Sequence, residues 1–304
     1  MIHGVINVYK ERGYTSHDVV AKLRGILKQK KIGHTGTLDP DAQGVLPVCL
    51  GKATKLCDML TGEEKVYEAV LRLGINTDTQ DMTGQVLKVR EVQVTPEEAE
   101  EAVNSFMGEY DQIPPMYSAR KVNGKKLYEL AREGKEVERQ ARRVRIYEIV
   151  ILECRPPLIR FTVRCSKGTY IRALCQDIGE KLACGGCMES LLRTQVGRFT
   201  LKDSLKLDQI RQLAVDGRIE QILTPVDEMF AGIPSVTVKS EFRKLIQNGN
   251  AFLPGHLLEA GGPGFGFAGP GQVRVYDEAG GFYGIYEYQT ERGRFQPVKM
   301  FLGD

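Results

Sequence analysis

Apolar and polar positions alternate along several stretches of the chain. Tyr67-Glu-Ala-Val-Leu-Arg-Leu has the period of two that marks a strand with one face buried. Residues 2–9, 143–153 and 158–166 read as further strands. The compact apolar run 45–50 reads as a buried strand despite Pro47. Other stretches carry a helical period. Val19, Val20, Leu23, Ile26 and Leu27 follow Thr15-Ser16-His17-Asp18, where Thr15 or Ser16 caps the first turn. Thr95-Pro96-Glu97-Glu98 is a second helix start, with a capping threonine, proline at the first helical position and an acidic first turn. Residues 170–182 read as another helix. Strands and helices mix without a regular strand–helix–strand alternation, which predicts an α+β fold. There is no internal repeat.

The chain has 304 residues, a length that suits one large domain and a small one. Around Thr224-Pro225-Val226-Asp227 the first domain closes, and Ile233-Pro-Ser-Val-Thr-Val-Lys opens a fresh strand. The expected division is therefore 1–230 and 231–304. The second part holds Val273-Arg-Val-Tyr and Gly284-Ile-Tyr-Glu-Tyr as strands, and its size fits a binding module better than a second active site. Residues 261–271 contain six Gly and two Pro, the composition of a mobile loop.

Charge changes this picture locally. The chain's net charge is only +3, yet residues 120–172 carry 15 Lys/Arg against six Asp/Glu. Such a stretch reads as an anion-binding face or, more simply, as a solvated helix surface. Seven cysteines, no basic-then-apolar leader at Met1-Ile2-His3-Gly4 and no apolar run of roughly 18 residues lead us to expect a cytoplasmic protein with reduced thiols. Cys184-Gly-Gly-Cys187 has the spacing of a zinc half-site, but a structural zinc needs four ligands and no second close Cys/His pair exists, so no metal is expected.

The candidate chemistry lies in the glycine-rich loop 33–44. Asp39 precedes Pro40, which keeps it off helical backbone. Asp41 is a rival carboxylate two residues on. A nucleophilic carboxylate must be ionised, and an arginine would hold it so; Arg164 and Arg172 are the candidates. His34 lies beside a glycine with no apolar neighbours at core spacing. The loop is neither a dinucleotide fingerprint nor a P-loop. No second carboxylate is evidently paired with Asp39, which sets aside a glycosidase pair. Read without further context, Tyr67 is also an ordinary strand aromatic and Leu191 a core residue. Asp78 and Asp81 are also turn formers, and Tyr170 and Arg172 a surface pair at a helix start.

Gly33-His-Thr-Gly-Thr-Leu-Asp39-Pro-Asp-Ala-Gln-Gly44-Val-Leu-Pro47 resembles the signature loop of the pseudouridine synthases, in the TruB-type branch that acts at position 55 of tRNA. Lys65-Val66-Tyr67, Thr77-Asp-Thr-Gln-Asp81-Met-Thr-Gly84, Gln112-Ile-Pro-Pro-Met-Tyr117-Ser-Ala-Arg120-Lys121 and Ser166-Lys-Gly-Thr-Tyr170-Ile-Arg172 resemble later motifs of that family, in the same order. The last strands resemble a small RNA-binding β domain of PUA type. The resemblance implies a pseudouridine-synthase fold: a central mixed, mainly antiparallel sheet flanked by helices, an RNA-binding insertion at about 111–145 and a PUA-like domain.

It also implies roles. Asp39 would assist cleavage of the glycosidic bond. Tyr67 would stack on the flipped uracil, Arg172 would pair with Asp39, and Tyr170 and Leu191 would line the base pocket. His34 would fill the gap in the RNA stack, and Lys10 and Asp81 would border the pocket. The implied partner is the T-arm stem-loop of tRNA, bound by a monomer without an obligate protein partner, with RNA folding as a second possible service. Isomerisation moves no electrons and takes no group from a donor, so no cofactor is implied. The chain departs from the family at Glu11, where proline usually follows the lysine, at Cys187, where histidine is common, and at Leu192, where arginine is usual.

Overall fold

The computed structural model describes residues 1–122, 124–258 and 271–302. The glycine-rich stretch 261–270 lies outside the described residues. The chain opens with β1 (Gly4–Lys10), α1 (Ser16–Leu27), β2 (Ile32–His34), β3 (Gln43–Leu50), α2 (Cys57–Thr61) and β4 (Lys65–Leu73). A hairpin of β5 (Ile75–Thr77) and β6 (Val86–Val89) leads to α3 (Pro96–Asn104) and β7 (Gly108–Gln112). The following segment carries β8 (Lys121–Val122), β9 (Lys125–Lys126) and α4 (Leu127–Arg132). Then come β10 (Arg142–Arg155), β11 (Leu158–Cys165), α5 (Ile171–Lys181), β12 (Gly186–Val196), β13 (Phe199–Thr200), α6 (Leu207–Val215) and β14 (Leu223–Thr224). The last part holds β15 (Ser235–Val238), α7 (Arg243–Gln247), β16 (Gln272–Asp277), β17 (Phe282–Gln289) and β18 (Arg294–Met300).

Ten strands make the main sheet, in the order β14-β1-β3-β12-β4-β11-β10-β7, with β2 on β3 and β13 on β12. Its pairs are antiparallel except β3–β12, which run parallel and meet at Leu192 opposite Gln43 and Arg193 opposite Gly44. Strand β4 alternates buried and half-buried residues along its whole length, as its sequence period predicts. Pro47 fits inside β3 because its ladder to β12 stops at Gly44 and its ladder to β2 begins at Val48. Its missing N–H therefore falls where that flank has no ladder bond to lose.

Helix α1 is capped by Thr15 rather than Ser16, with Asp18 closing the capping box. Thr95 does the same for α3 with Glu98. Ser16 is buried instead and serves the loop described below. One core layer packs α3 and α5 against β4, β11 and β12. A second packs α1 and α6 against β1 and β3. Strands β15 to β18 form a separate four-stranded sheet, a small C-terminal β domain. Its Ile285 and Phe301 share an apolar cluster with Val5, Val45 and Phe230 of the first part. No helix among the described residues is long and apolar enough to cross a membrane.

Candidate active site at the centre of the main sheet

The loop between β2 and β3 is tied down at each turn. Thr35 donates its N–H and its hydroxyl to the Pro47 carbonyl, both at 3.2 Å. The Leu38 N–H donates to Ser16 Oγ at 2.9 Å, which explains why Ser16 is buried at the start of α1. The Gly13 N–H donates to the Pro40 carbonyl at 2.9 Å. Lys10, at the end of β1, is fully buried and donates to the carbonyls of Glu11 (3.1 Å), Pro40 (3.0 Å) and Ala42 (2.6 Å). Burial pulls its pKa down to about 8, against the pull of Asp39 and Asp41. The acceptor at Glu11 is its main-chain carbonyl, which a proline there would equally supply.

Held this way, Asp39 meets Arg172 in a bidentate pair: Nε to Oδ2 is 2.9 Å and Nη2 to Oδ1 is 3.1 Å. Arg172 is buried, so it is not half of a surface pair. It also donates to the carbonyls of Thr79 (3.0 Å) and Tyr117 (2.9 Å). The hairpin β5–β6 and the segment after β7 therefore both close on the same guanidinium. Burial pushes the Asp39 carboxyl above its ordinary range, and Arg172 opposes that push. About a third of the Asp39 side chain, 35%, stays open. The rivals separate cleanly. Asp41 pairs with Arg12 at the surface, 3.0 Å away, and Arg164 pairs with Glu64 and Glu148 on the sheet.

A second carboxylate does stand on the same arginine: Asp81 Oδ2 lies 3.8 Å from Arg172 Nε. Its other oxygen, Oδ1, accepts from Thr79 Oγ1 (2.7 Å), Thr83 N (3.0 Å) and Thr83 Oγ1 (2.5 Å). Asp81 is therefore a turn former as well as a neighbour of the pair. Asp78 accepts from Gln85 N in the same turn.

Tyr67 and Leu191 lie on neighbouring strands in one buried cluster with Leu38 and Ala42 of the loop. Burial pushes the Tyr67 hydroxyl up, and the Arg193 guanidinium beside it opposes this. Tyr170 is half-buried at the head of α5. The buried Gln112 clamps its backbone from both sides, accepting from the Tyr170 N–H (2.8 Å) and donating to its carbonyl (3.0 Å). His34 ends β2 with its ring 5.2 Å from that of His17, edge-on. Its Nδ1 accepts from the Gly36 N–H, and burial pulls its pKa to about 4, so the ring is neutral near pH 7. Asp39, Arg172, Tyr67, Leu191, Asp81 and Lys10 thus gather where β3, β12 and β4 meet, with His34 and Tyr170 at its margins. Sequence reasoning missed Gln112 and Arg193 as members. Arg193 shares the inward phase of Leu191, two residues earlier, and that period of two was the available signal.

Residues 24–171 match the model of the TruB family pseudouridylate synthase N-terminal domain, and residues 172–231 that of the tRNA pseudouridylate synthase B C-terminal domain. A protein of Lachnoclostridium phytofermentans called tRNA pseudouridine synthase B is 56% identical over 310 residues, covering 99% of this chain and all of that one. The chain belongs to the TruB family of pseudouridylate synthases. Its relative of the same name in Bacillus pumilus is 40% identical, covering 100% of this chain and 99% of that one. A solved Cbf5–Nop10–Gar1 complex contains a chain of the same fold, with a TM-score of 0.70 and 26% identity over 99% of this chain and 85% of that chain.

Within this TruB-family chain the basic stretch 120–172 is not one free face. Arg143 pairs with Asp111 and Glu109, Arg160 with Glu68, Lys135 with Glu133, and Arg172 turns into the cleft. Arg120, Arg142, Arg145 and Lys167 form no ion pair among the described residues. Cys184 and Cys187 are buried; Cys187 Sγ rests 3.5 Å from Met82 Sδ, and Cys184 Sγ 3.5 Å from the Gly185 carbonyl.

Proposed function

We propose that this chain isomerises uridine to pseudouridine at position 55, in the T loop of tRNA, with Asp39 as its catalytic carboxylate. The observation that carries this is the Asp39–Arg172 pair, set beside Tyr67 and Leu191 on a tied-down loop. The names of the relatives supply the substrate class.

The target base starts inside a folded RNA loop and must leave its stack, at a cost of a few kcal/mol. His34, neutral and half-exposed at the rim, takes the vacated place in the stack. Tyr67 stacks on the extruded uracil, and Tyr170 and Leu191 line its pocket. Asp39 is ionised by Arg172 and assists breaking of the bond between N1 and the sugar carbon. The uracil turns, C5 bonds to that carbon, and a proton leaves C5 while N1 gains one. Atoms and electrons balance without a cofactor. Lys10 keeps the backbone on either side of Asp41 fixed, and Asp81 adds a second carboxylate beside the same Arg172 Nε.

Residues 1–230 form the catalytic domain in this reading, with the insertion at about 111–145 gripping RNA. Residues 231–304 are a PUA-like RNA-binding domain. The protein works as a cytoplasmic monomer on free tRNA, with no obligate protein partner. Tritium release from a T-arm stem-loop labelled at uridine C5 tests the assignment. Asp39→Asn should be inactive and Asp41→Asn active; full activity in Asp39→Asn overturns it.

A further inference from the structure

We propose that Arg193 is a positioning residue for this reaction, setting Tyr67 against the Asp39 loop and acting on turnover through the Tyr67 hydroxyl. The inference rests on the pseudouridine reading above and adds a residue to it.

Arg193 stands at the one parallel junction of the main sheet. It lies opposite Gly44 of β3 on one side and opposite Tyr67 of β4 on the other. At 1% exposure it is the largest fully buried side chain among the described residues. Its Nε donates to the Val45 carbonyl at 2.7 Å and its Nη2 to the Gly36 carbonyl at 3.2 Å. As cross-strand partners the two side chains share one face of the sheet, and the guanidinium charge is felt at the Tyr67 hydroxyl. One planar group therefore binds the loop three residues before Asp39 and the strand that follows the loop, directly across the sheet from the ring proposed to cover the base.

What Arg193 lacks is as informative. Arg172 is buried with two carboxylates, whereas Arg193 forms no ion pair among the described residues. A buried cation without an anion is costly, and an apolar side chain of similar volume would stabilise the fold better. The arginine is explained by what it orders. A guanidinium can only donate, so a hydrogen bond between the two would have the Tyr67 oxygen as acceptor and would direct the Tyr67 proton away from Arg193. Arg193 thereby fixes both the tilt of the ring and the orientation of its hydroxyl.

A double-mutant cycle with Arg193→Lys and Tyr67→Phe tests this on the full chain, using tritium release from a T-arm stem-loop. Arg193→Lys alone should lower the rate at saturating RNA by roughly 10²-fold, the effect of slight misplacement at a reacting centre, with KM little changed. In the Tyr67→Phe background, which has already lost the hydroxyl, the same change should cost almost nothing more. Losses that multiply, or a loss that falls on KM, overturn the proposal. If Arg193→Lys does not fold, the guanidinium ¹⁵N–¹H resonances of Arg193 decide it. Tyr67→Phe should shift them, and unmoved resonances overturn it. A wild type that makes no pseudouridine defeats the functional reading instead, and the resonance shift still decides the Tyr67–Arg193 contact.

Discussion

Arg172→Met should cost stability and move the acid limb of activity to higher pH. The native guanidinium gives Asp39 two hydrogen bonds and donates to the carbonyls of Thr79 and Tyr117. Methionine keeps much of the volume and none of the donors. Removing one partner of a buried pair costs about 3–5 kcal/mol. Because 35% of the Asp39 side chain is open, water replaces part of what is lost, and the lower end applies. About 3 kcal/mol corresponds to a fall of about 6–12 °C in melting midpoint for a domain of this size. Asp39 already lies above the ordinary carboxylate range through burial, and Arg172 is what restrains it. Without Arg172 more of the carboxyl is protonated at any given pH, so activity fails sooner on acidification. The stability deficit has the matching sign. It is full above the Asp39 pKa and shrinks as pH falls through it, because the protonated group needs no cation. Thermal melts and tritium-release rates at a series of pH values measure both effects. Adding Asp39→Asn to Arg172→Met should return part of the lost stability, since no bare carboxylate remains. A melting midpoint and an acid limb both equal to those of the wild type would refute the reasoning.

Activity should also fall as pH rises through about 8, where the buried Lys10 ammonium loses its proton and one of its three donors. Lys10→Met should be slower and lack that limb, whereas His34, pulled down to about 4, should contribute no limb near neutrality. Gly44→Ala should destabilise the chain by more than about 1 kcal/mol, read by thermal unfolding, because its φ is +108° and the new carbon would lie 2.2 Å from the Arg193 carbonyl oxygen. RNA affinity should drop steeply with ionic strength, by a log–log slope of about 0.7–0.9 per phosphate contact. A flat salt dependence in a filter-binding titration would contradict a role for Arg142, Arg145 and Lys167 on the RNA.

Local features were legible in the sequence because they depend on neighbours along the chain. The alternation of β4 reads directly as one buried face, and the caps at Thr15 and Thr95 depend on residues three positions away. The site motifs and the pairing of Arg172 with Asp39 were legible through resemblance. The residues alone left Arg164 and Asp41 open, because choosing between them requires knowing which side chains point into the cleft. Which residues of the basic stretch stay unpaired was hidden for the same reason: charges adjacent in sequence alternate across β10 and β11, and some find carboxylates on other strands. Arg193 and Gly44 are about half the chain apart, and their parallel contact leaves no local mark on either segment.

The central claim is that Asp39 serves pseudouridine formation at one position of tRNA. Mapping pseudouridine in unmodified tRNA, treated separately with the purified wild type and with Asp39→Asn, tests it most directly. Pseudouridine should appear at position 55 of the T loop with the wild type and nowhere with the variant. Pseudouridine elsewhere, none with the wild type, or equal yield from Asp39→Asn would contradict it.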